Sequence, residues 1–471
     1  MRKYDYDLIV IGAGPAGEKG AAAAAFFGKK VLIVEKSSQF GGAISATGVP
    51  EKAMRETSLY FSSFRQRDLH GIDLSFSGKP DTSIFMRRGL DLRDGLGGWV
   101  KDNLEHHGID TQLGEACFLD PHTIEVSSDD GTLEYTAEKF LIATGSRPVR
   151  PSYFPWGSPH IFDSDSVLSM GQLPDKLLVV GGGTIGCEYA CIFRSLGMEV
   201  TLIHSHDTLF PFADGEIARI FQSAMLGMGV NVIFSDRVMS VTQDEGIELH
   251  LESGATQVGD AVLVTVGRSS VVERLGLENA GVMTGDRGII PVNEWFQTNV
   301  GHIYAAGDVV GFPALSSSSM EQGRTAMAHA FQFSDDTKLK SGAARLMPFG
   351  VWTIPEISMV GETEESCIAQ GIPYAVGRAR YSDNPRGMIT GEKHGLVKLI
   401  FRHPDRQLIG AHIIGEQACE LIGVGLVAMT SNATADTFMN TCFNYPSLAD
   451  MFKYATYDAL TELRKRDQEL L

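Results

Sequence analysis

The sequence is poor in cysteine, and its few cysteines show no spacing that would hold a metal ion. Six occur among 471 residues, without the paired spacing typical of zinc sites. A chain of this length can bury enough apolar surface to fold without disulfide bonds. We therefore expect a protein of the reducing cytoplasm with no bound metal. The six are Cys117, Cys187, Cys191, Cys367, Cys419 and Cys442.

Positive charge is also scarce. Forty Lys and Arg residues stand against 58 Asp and Glu residues, which gives a formal net charge of −18 at pH 7. Such a surface repels phosphate backbones and anionic lipid headgroups. Nucleic acids and membranes are therefore excluded as expected partners.

Long apolar runs are missing as well. No uninterrupted apolar stretch reaches the length needed to cross a bilayer. The first apolar run, Leu8–Gly12, already has the pattern of a strand, so we expect no targeting segment before it. At roughly 100 to 200 residues per domain, the length predicts about three domains.

The same supersecondary pattern occurs twice. The stretch "DLIVIGAGPAGEKGAAAAAFFGKKVLIVEK", Asp7–Lys36, passes from an apolar run through glycines into an alanine-rich helix and then into a second apolar run. The stretch "LLVVGGGTIGCEYACIFRSLGMEVTLIHSH", Leu177–His206, has the same design. Both patterns predict a βαβ unit.

The first copy carries a complete dinucleotide fingerprint. Gly12, Gly14 and Gly17 have the G-x-G-x-x-G spacing directly after the predicted strand. These positions allow a tight turn, close approach of a pyrophosphate and close packing of the helix on the strand. Glu35 ends the next strand, where a carboxylate can bind a ribose diol. An ordinary tight turn is the weaker interpretation.

The second copy has the glycines without the acid. The residues where an acid is expected are His204, Ser205 and His206. Without a carboxylate, the site can admit a 2′-phosphate as well as a 2′-hydroxyl, and histidine can donate to phosphate. The alternatives are loop histidines without a ligand and, less favoured, a metal site without a third ligand. The glycines are Gly181, Gly183 and Gly186.

Proline and strand patterns indicate how the domains follow one another. The stretch 145–159 contains four prolines and is interpreted as a crossing between domains. A return crossing is expected near 262–270, and an α+β pattern follows residue 345. We predict an α/β fold with two Rossmann-like dinucleotide-binding domains and a C-terminal α+β domain. The predicted segments are 1–149 and 270–345 for the first dinucleotide-binding domain, 150–269 for the second, and 346–471 for the C-terminal domain.

A third motif carries a family resemblance. The run "HIYAAGDVVGFP", His302–Pro313, together with the two glycine loops, resembles the pyridine-nucleotide disulfide oxidoreductases of the dihydrolipoamide dehydrogenase class. The resemblance covers essentially the whole chain. It implies that FAD lies at the first loop and NAD(P) at the second, so that 1–149 and 270–345 form an FAD-binding domain and 150–269 an NAD(P)-binding domain. It also implies a homodimer joined through an α+β dimerisation domain, 346–471. The further cofactor-binding positions it implies are Ala143, Thr144, Gly145, Gly267, Gly307 and Asp308.

Stretches such as "TIPEIS", Thr353–Ser358, and "FNYPSLAD", Phe443–Asp450, are most similar to the transhydrogenase branch of that family. The redox cysteine pair of the disulfide reductases is replaced by residues 44–49, which contain no cysteine. Their C-terminal His-Pro is replaced by Tyr445-Pro446. A thiol relay needs a thiolate and a base, so both changes argue against disulfide, dihydrolipoamide or mercuric substrates.

The expected function is therefore hydride exchange between NADPH and NAD⁺ through FAD, with no disulfide relay. The resemblance assigns the catalytic roles to Lys52 and Glu188, which pair beside the flavin in the family. An ordinary surface ion pair is the alternative for these two residues. Two other functions stay open: an NAD(P)H dehydrogenase that reduces a quinone or another small acceptor, and a non-catalytic flavin-binding subunit.

Overall fold

The computed structural model describes residues 3–62, 81–243, 246–333 and 346–469, with the backbone alone for 61, 62 and 463–469. The chain divides into two compact units, each assembled from separate stretches of sequence. The first comprises Met1–Met54, Met86–Val149 and Gly267–Arg345. The second comprises Arg55–Phe85, Arg150–Val266 and Leu346–Leu471. The finer division into four predicted segments stays a prediction, and its last boundary falls at residues outside the described ranges.

The first unit is built on a seven-stranded sheet that is parallel around its central strand, Tyr6–Ile11. That strand is apolar because both of its faces are covered: Leu8 packs on one side and Ile9 on the other. In order across the sheet the strands are Asp110–Leu113, Val31–Glu35, Tyr6–Ile11, Gly131–Ile142, Thr123–Ser128 and Glu115–Asp120, and Ile303–Ala305 pairs with Gly131–Ile142.

The small residues of the first helix, Pro15–Phe26, allow another helix to approach closely. That second helix is Ser316–Phe331, and a Cβ added at its Gly323 would overlap the carbonyl oxygen of Ala16. The alanine-rich sequence of the first helix therefore reflects a close helix contact. The other helices that lie wholly or partly in this unit are Val49–Ser62, Thr82–His106 and Leu277–Ala280.

A two-stranded antiparallel ribbon also lies in the first unit. It pairs Ser146–Pro148 with Arg268–Ser270. Both strands lie within or beside the stretches that the sequence marked as crossings between domains.

The second unit contains a five-stranded parallel sheet with the same arrangement around its central strand, Lys176–Val180. Its strands across the sheet are Asn231–Ile233, Glu199–Ile203, Lys176–Val180, Ala261–Val264 and Ile161–Asp163. Its helices are Thr184–Ser195 and Gly215–Gly227. An antiparallel three-stranded sheet comprises Val238–Gln243, Ile247–Leu251 and Thr256–Gly259.

The C-terminal part of the second unit is an antiparallel five-stranded sheet with helices. Two of its strands form a hairpin, in which Leu396–Arg402 pairs antiparallel with Leu408–Ile414. The strands across the sheet are Phe349–Val351, Ile357–Gly361, Leu408–Ile414, Leu396–Arg402 and Tyr374–Arg380. The helices are Glu364–Gln370, Pro385–Thr390, Ala418–Thr430, Ala435–Asn440 and Met451–Glu469.

The structure confirms the α/β fold, both βαβ units and the C-terminal α+β region. Within the residues described, none of the helices combines the length and the apolar character that a membrane span requires.

Candidate functional site

The first glycine loop is held tightly between its strand and its helix. Gly12 has φ +102°, and a Cβ there would overlap the carbonyl oxygen of Ala143. A Cβ at Gly17 would overlap the carbonyl oxygen of Gly12, whereas Gly14 has open space beyond Gly42 Cα at 4.0 Å. Glycine is therefore required at position 12, where the chain turns, and at position 17, where the helix packs against the loop. Gly14 leaves room for a phosphate at the helix N-terminus.

The Glu35 carboxylate lies beside this loop. One oxygen accepts a hydrogen bond from the Ala13 N–H at 2.8 Å, and the other accepts from the Ser37 N–H at 3.0 Å. The carboxylate thus links the end of the second strand to the glycine loop, where the sequence places a ribose.

The residues after the Gly131–Ile142 strand complete the rim of this loop. The Ala143 N–H donates to the Ile11 carbonyl at 2.8 Å, and Gly145 has φ +69°. The Thr144 hydroxyl is buried and has no hydrogen-bond partner within the part of the chain that the structure describes. A buried hydroxyl without a partner is costly, and a polar ligand atom would satisfy it. This feature fits a bound dinucleotide such as FAD.

Gly307 and Asp308 are fixed by residues that the sequence did not identify. The Gly307 N–H donates to the Gln322 side-chain oxygen at 2.8 Å. The Asp308 carboxylate accepts from the Ser146 hydroxyl at 2.7 Å, and Ser146 accepts from Arg268 at 2.8 Å. No motif spacing marks Gln322, Ser146 or Arg268, because the contacts join segments far apart in the chain.

The cysteine-free segment lies against the first glycine loop. Gly42 has φ +51°, and a Cβ there would lie 3.1 Å from Gly14 Cα. Residues Ile44–Gly48 form a π-helical turn that leads into the Val49–Ser62 helix. The Ser45 hydroxyl, buried within this turn, donates to the Phe40 carbonyl at 2.6 Å. Such π turns are often found at functional sites.

Lys52 lies in the first turn of that helix, and its ammonium group contacts the Glu51 carboxylate. The side chain of Glu51 is buried, whereas that of Lys52 is 29% exposed. Glu188 belongs to the second unit, where its buried carboxylate accepts from the Trp352 N–H at 2.7 Å. The pairing of Lys52 with Glu188 stays a prediction.

The second glycine loop repeats the geometry of the first. Gly181 has φ +109°, and a Cβ there would overlap the carbonyl oxygen of Thr265. A Cβ at Gly186 would overlap the carbonyl oxygen of Gly181, and Gly183 faces open space. The second unit therefore has its own dinucleotide-type loop. Gly267, with φ +115°, follows the returning strand and lies in the first unit.

The residue at the end of the second strand of this copy is His204. Its Nδ1 accepts from the Gly182 N–H at 3.2 Å, and its Nε2 faces the Thr208 carbonyl at 3.1 Å. Both ring nitrogens are therefore engaged by the protein's own backbone. Ser205 and His206 are exposed on the same loop.

The two cysteines of the second copy are buried in the Thr184–Ser195 helix. Burial raises the pKa of Cys187 well above its usual value and raises the pKa of Cys191 to about 12. Both thiols therefore stay protonated at neutral pH, which does not suit a thiolate nucleophile. All six cysteines are free thiols. Among the described residues, no group of three or more His, Cys, Asp or Glu is placed to hold a metal ion.

Comparisons with known proteins agree with this organisation. Residues 6–330 match the family model described as pyridine nucleotide-disulphide oxidoreductase, and residues 347–456 match that family's dimerisation domain. The soluble pyridine nucleotide transhydrogenase of Mycobacterium bovis BCG Pasteur is 37% identical over 98% of this chain and 99% of its own length. The protein of the same name from Azotobacter vinelandii is 38% identical over 98% of this chain and 100% of its own length.

Solved structures with the same fold include LpdA from Mycobacterium tuberculosis, with a TM-score of 0.88 and 28% identity over 96% of this chain and 99% of that one. The flavoprotein disulfide reductase RclA from Escherichia coli has a TM-score of 0.85 and 25% identity over 96% of this chain and 99% of that chain.

Proposed function

The chain belongs to the pyridine nucleotide-disulphide oxidoreductase family, and from this premise we propose that it is an FAD-dependent NAD(P)⁺ transhydrogenase without a disulfide relay. The observation that carries the proposal is the cysteine-free segment 39–54 beside one of two matched dinucleotide loops. Relatives of nearly full length bear the name soluble pyridine nucleotide transhydrogenase, which supports the same activity.

The residues of the first unit would hold FAD. The tight turn at Gly12 leads directly to the helix N-terminus, where this fold binds a pyrophosphate, and Glu35 lies where a ribose is bound in this fold. The buried Thr144 hydroxyl would gain a partner, and Asp308 is already positioned by Ser146. When bound, FAD supplies a group that can accept hydride from NADPH and return it to NAD⁺.

The residues of the second unit would hold the nicotinamide coenzymes. The loop around Gly181 and Gly186 provides the pyrophosphate site. No carboxylate stands at position 204, so a 2′-phosphate would meet less repulsion than at an acidic site. Both NADPH and NAD⁺ would therefore bind there, one after the other.

The dimerisation-domain match supports a homodimer. We place the protein in the cytoplasm, because its relatives are named as soluble enzymes and its cysteines are all free.

Transfer between the two coenzymes is the direct test. Anaerobic NADPH is expected to bleach the flavin absorbance of the purified protein, and a spectrally distinct NAD⁺ analogue is expected to restore it while the analogue is reduced. If the flavin stays reduced until a quinone is added, the protein is an NAD(P)H dehydrogenase instead. If NADPH never bleaches the flavin, both enzyme functions are excluded and a flavin-binding subunit remains.

Lys52 and Glu51 should have opposite effects on the reduction potential of the bound FAD. Under the proposed role, the Lys52 ammonium stabilises negative charge on the flavin, while the buried Glu51 carboxylate beside it opposes this effect. Lys52→Met should lower the potential by about 20 to 40 mV, as expected for ~1–2 kcal/mol in a two-electron couple. Glu51→Gln should raise it.

Spectral titration of the flavin against a reference dye measures both values. Shifts of the same sign in the two variants would indicate a structural disturbance and would contradict the assigned charges.

A further inference from the structure

Each of the two glycine loops is held by an equivalent hydrogen bond from a backbone N–H, but the acceptor group differs between them. In the first loop, the Ala13 N–H donates to the Glu35 carboxylate at 2.8 Å. In the second, the equivalent Gly182 N–H donates to His204 Nδ1 at 3.2 Å. In each copy the acceptor side chain lies at the carboxyl end of the second strand, as its last residue in Glu35 and just after it in His204. From there it reaches back to the residue after the first glycine. An imidazole thus occupies the structural position of a carboxylate.

This arrangement determines the protonation state of His204. Because Nδ1 accepts a hydrogen bond from a backbone N–H, it cannot carry a proton of its own. Nε2 faces the Thr208 carbonyl at 3.1 Å, so Nε2 must carry the proton. The imidazole is therefore neutral when it accepts the hydrogen bond from Gly182. Protonation at Nδ1 would replace an acceptor by a donor and break the bond to Gly182.

The surroundings of His204 keep the ring in this state and in this place. The residue is only 8% exposed, and a Cβ added at Gly182 would lie 2.7 Å from the ring. Burial lowers the pKa of His204 below its ordinary value, a shift that the Thr208 carbonyl opposes and His206 reinforces.

The charged groups around the His204 ring do not offset the lowering of its pKa. His206 lies on the same loop, with its ring centroid 5.2 Å from that of His204. Asp236, on the neighbouring loop, donates its N–H to the His204 carbonyl, and its carboxylate is bound by Ser253 at 2.6 Å. Asp207 is exposed. Both ring nitrogens of His204 therefore face backbone groups, Gly182 N–H and the Thr208 carbonyl.

We propose that His204 is a positioning residue that holds the second glycine loop as a neutral hydrogen-bond acceptor, and that recognition at the coenzyme 2′ position belongs to the exposed Ser205 and His206. The assignment rests on the proposed function in one respect, that this loop binds nicotinamide coenzymes. It departs from the prediction that all three residues face the 2′ position, because both nitrogens of the His204 ring are already used by the backbone.

The assignment has a consequence for pH. The bond to Gly182 is present above the pKa of His204 in the folded protein and is lost as the pH falls through it. Since that pKa lies below the ordinary value, the loss occurs at a lower pH than the one at which a solvent-exposed histidine titrates. Affinity for NAD⁺, which has no titrating 2′-phosphate, should fall in the same range.

Equilibrium binding of NAD⁺ and NADP⁺ to the FAD-loaded protein tests the proposal without relying on turnover. As the pH is lowered from about 8 until the bond to Gly182 is lost, the dissociation constant for NAD⁺ should rise about three- to tenfold, the size of one lost hydrogen bond. His204→Asn places an oxygen where Nδ1 stands and does not titrate, so its binding should be nearly independent of pH. His204→Ala should weaken NAD⁺ and NADP⁺ equally at the higher pH.

His206→Asn is the matched control, because it should weaken NADP⁺ alone and keep the pH dependence of NAD⁺ binding. A flat profile for the unmodified protein would overturn the proposal, and so would a His204→Asn variant that changes the ratio of NADP⁺ to NAD⁺ affinity. If this loop is not the nicotinamide-coenzyme site, the result would look different, since substitutions at His204 and His206 would leave the binding of NAD⁺ and NADP⁺ unchanged at every pH. Flavin absorbance at each pH verifies that every variant is folded.

Discussion

The Gly186→Ala variant is expected to retain FAD and to bind NAD(P)H about 10- to 100-fold more weakly than the unmodified protein. The added Cβ would overlap the carbonyl oxygen of Gly181, so the Thr184–Ser195 helix must move away from its strand. Overpacking of this kind costs ~1–3 kcal/mol. The displacement also disturbs the loop N–H groups that would bind the pyrophosphate. Coenzyme titration monitored by flavin bleaching measures the change.

Two further variants show whether the effect is specific to the loop. Gly17→Ala introduces the same overlap in the first copy and should release FAD instead. Gly227→Ala lies in a helix of the same unit as Gly186 with nothing near its new Cβ, and it should bind both cofactors normally. Unchanged NAD(P)H affinity in Gly186→Ala would mean that this loop is not the nicotinamide site.

The Lys398→Met variant is expected to lose ~3–5 kcal/mol of stability in the second unit, as is usual when one partner of a buried ion pair is removed. The side chain of Lys398 is 1% exposed, and its ammonium contacts Asp214 at 2.8 Å. It also contacts Glu216 at 3.0 Å and Glu364 at 2.5 Å. Methionine would remove the ammonium from the fully buried Asp214, whereas Glu216 and Glu364 would keep their ion pairs with Arg378.

Denaturant unfolding, followed by signals from each unit, measures the loss. Lys101→Met is the control, because Lys101 pairs with Glu105 at 3.9 Å on the surface. Exposed pairs contribute ~0–1 kcal/mol, so this variant should unfold almost as the unmodified protein does. Equal stability of Lys398→Met and Lys101→Met would show that the buried cluster contributes little.

Acid should reduce the difference between Lys398→Met and the unmodified protein. Burial alone would raise the pKa of Asp214, but His412 and Lys398 outweigh it and hold that pKa below its usual value. The ionised Asp214 carboxylate therefore contributes to folding stability at a pH above its pKa in the unfolded chain. That contribution is lost as the pH falls through its pKa in the folded protein.

The sequence alone predicted the parts of the fold whose causes are local. The glycine spacing, the apolar runs and the alanine-rich helix of Asp7–Lys36 all lie within one βαβ unit. Each residue type there has a direct steric reason, such as the overlap that a Cβ at Gly12 or Gly17 would create. The same reasoning found the second copy and the absence of cysteine between residues 39 and 54.

Contacts between distant segments were not predictable in this way. Position 204 was identified from its spacing, but the direction of the His204 ring depends on Gly182 and Thr208 together. The Ser146–Asp308 hydrogen bond joins residues 162 positions apart, and the Lys398–Asp214 bond joins residues 184 positions apart.

The sequence by itself therefore determined the fold class, the two glycine loops and the lack of cysteine beside the first loop. Backbone turns and strand–helix packing impose a fixed spacing on neighbouring residues, and that spacing can be read from the chain. Only the tertiary structure decided which polar groups satisfy one another. Burial makes an unpaired polar atom costly, so each side chain takes the partner that folding brings to it. For His204, that partner is the N–H of the glycine loop itself.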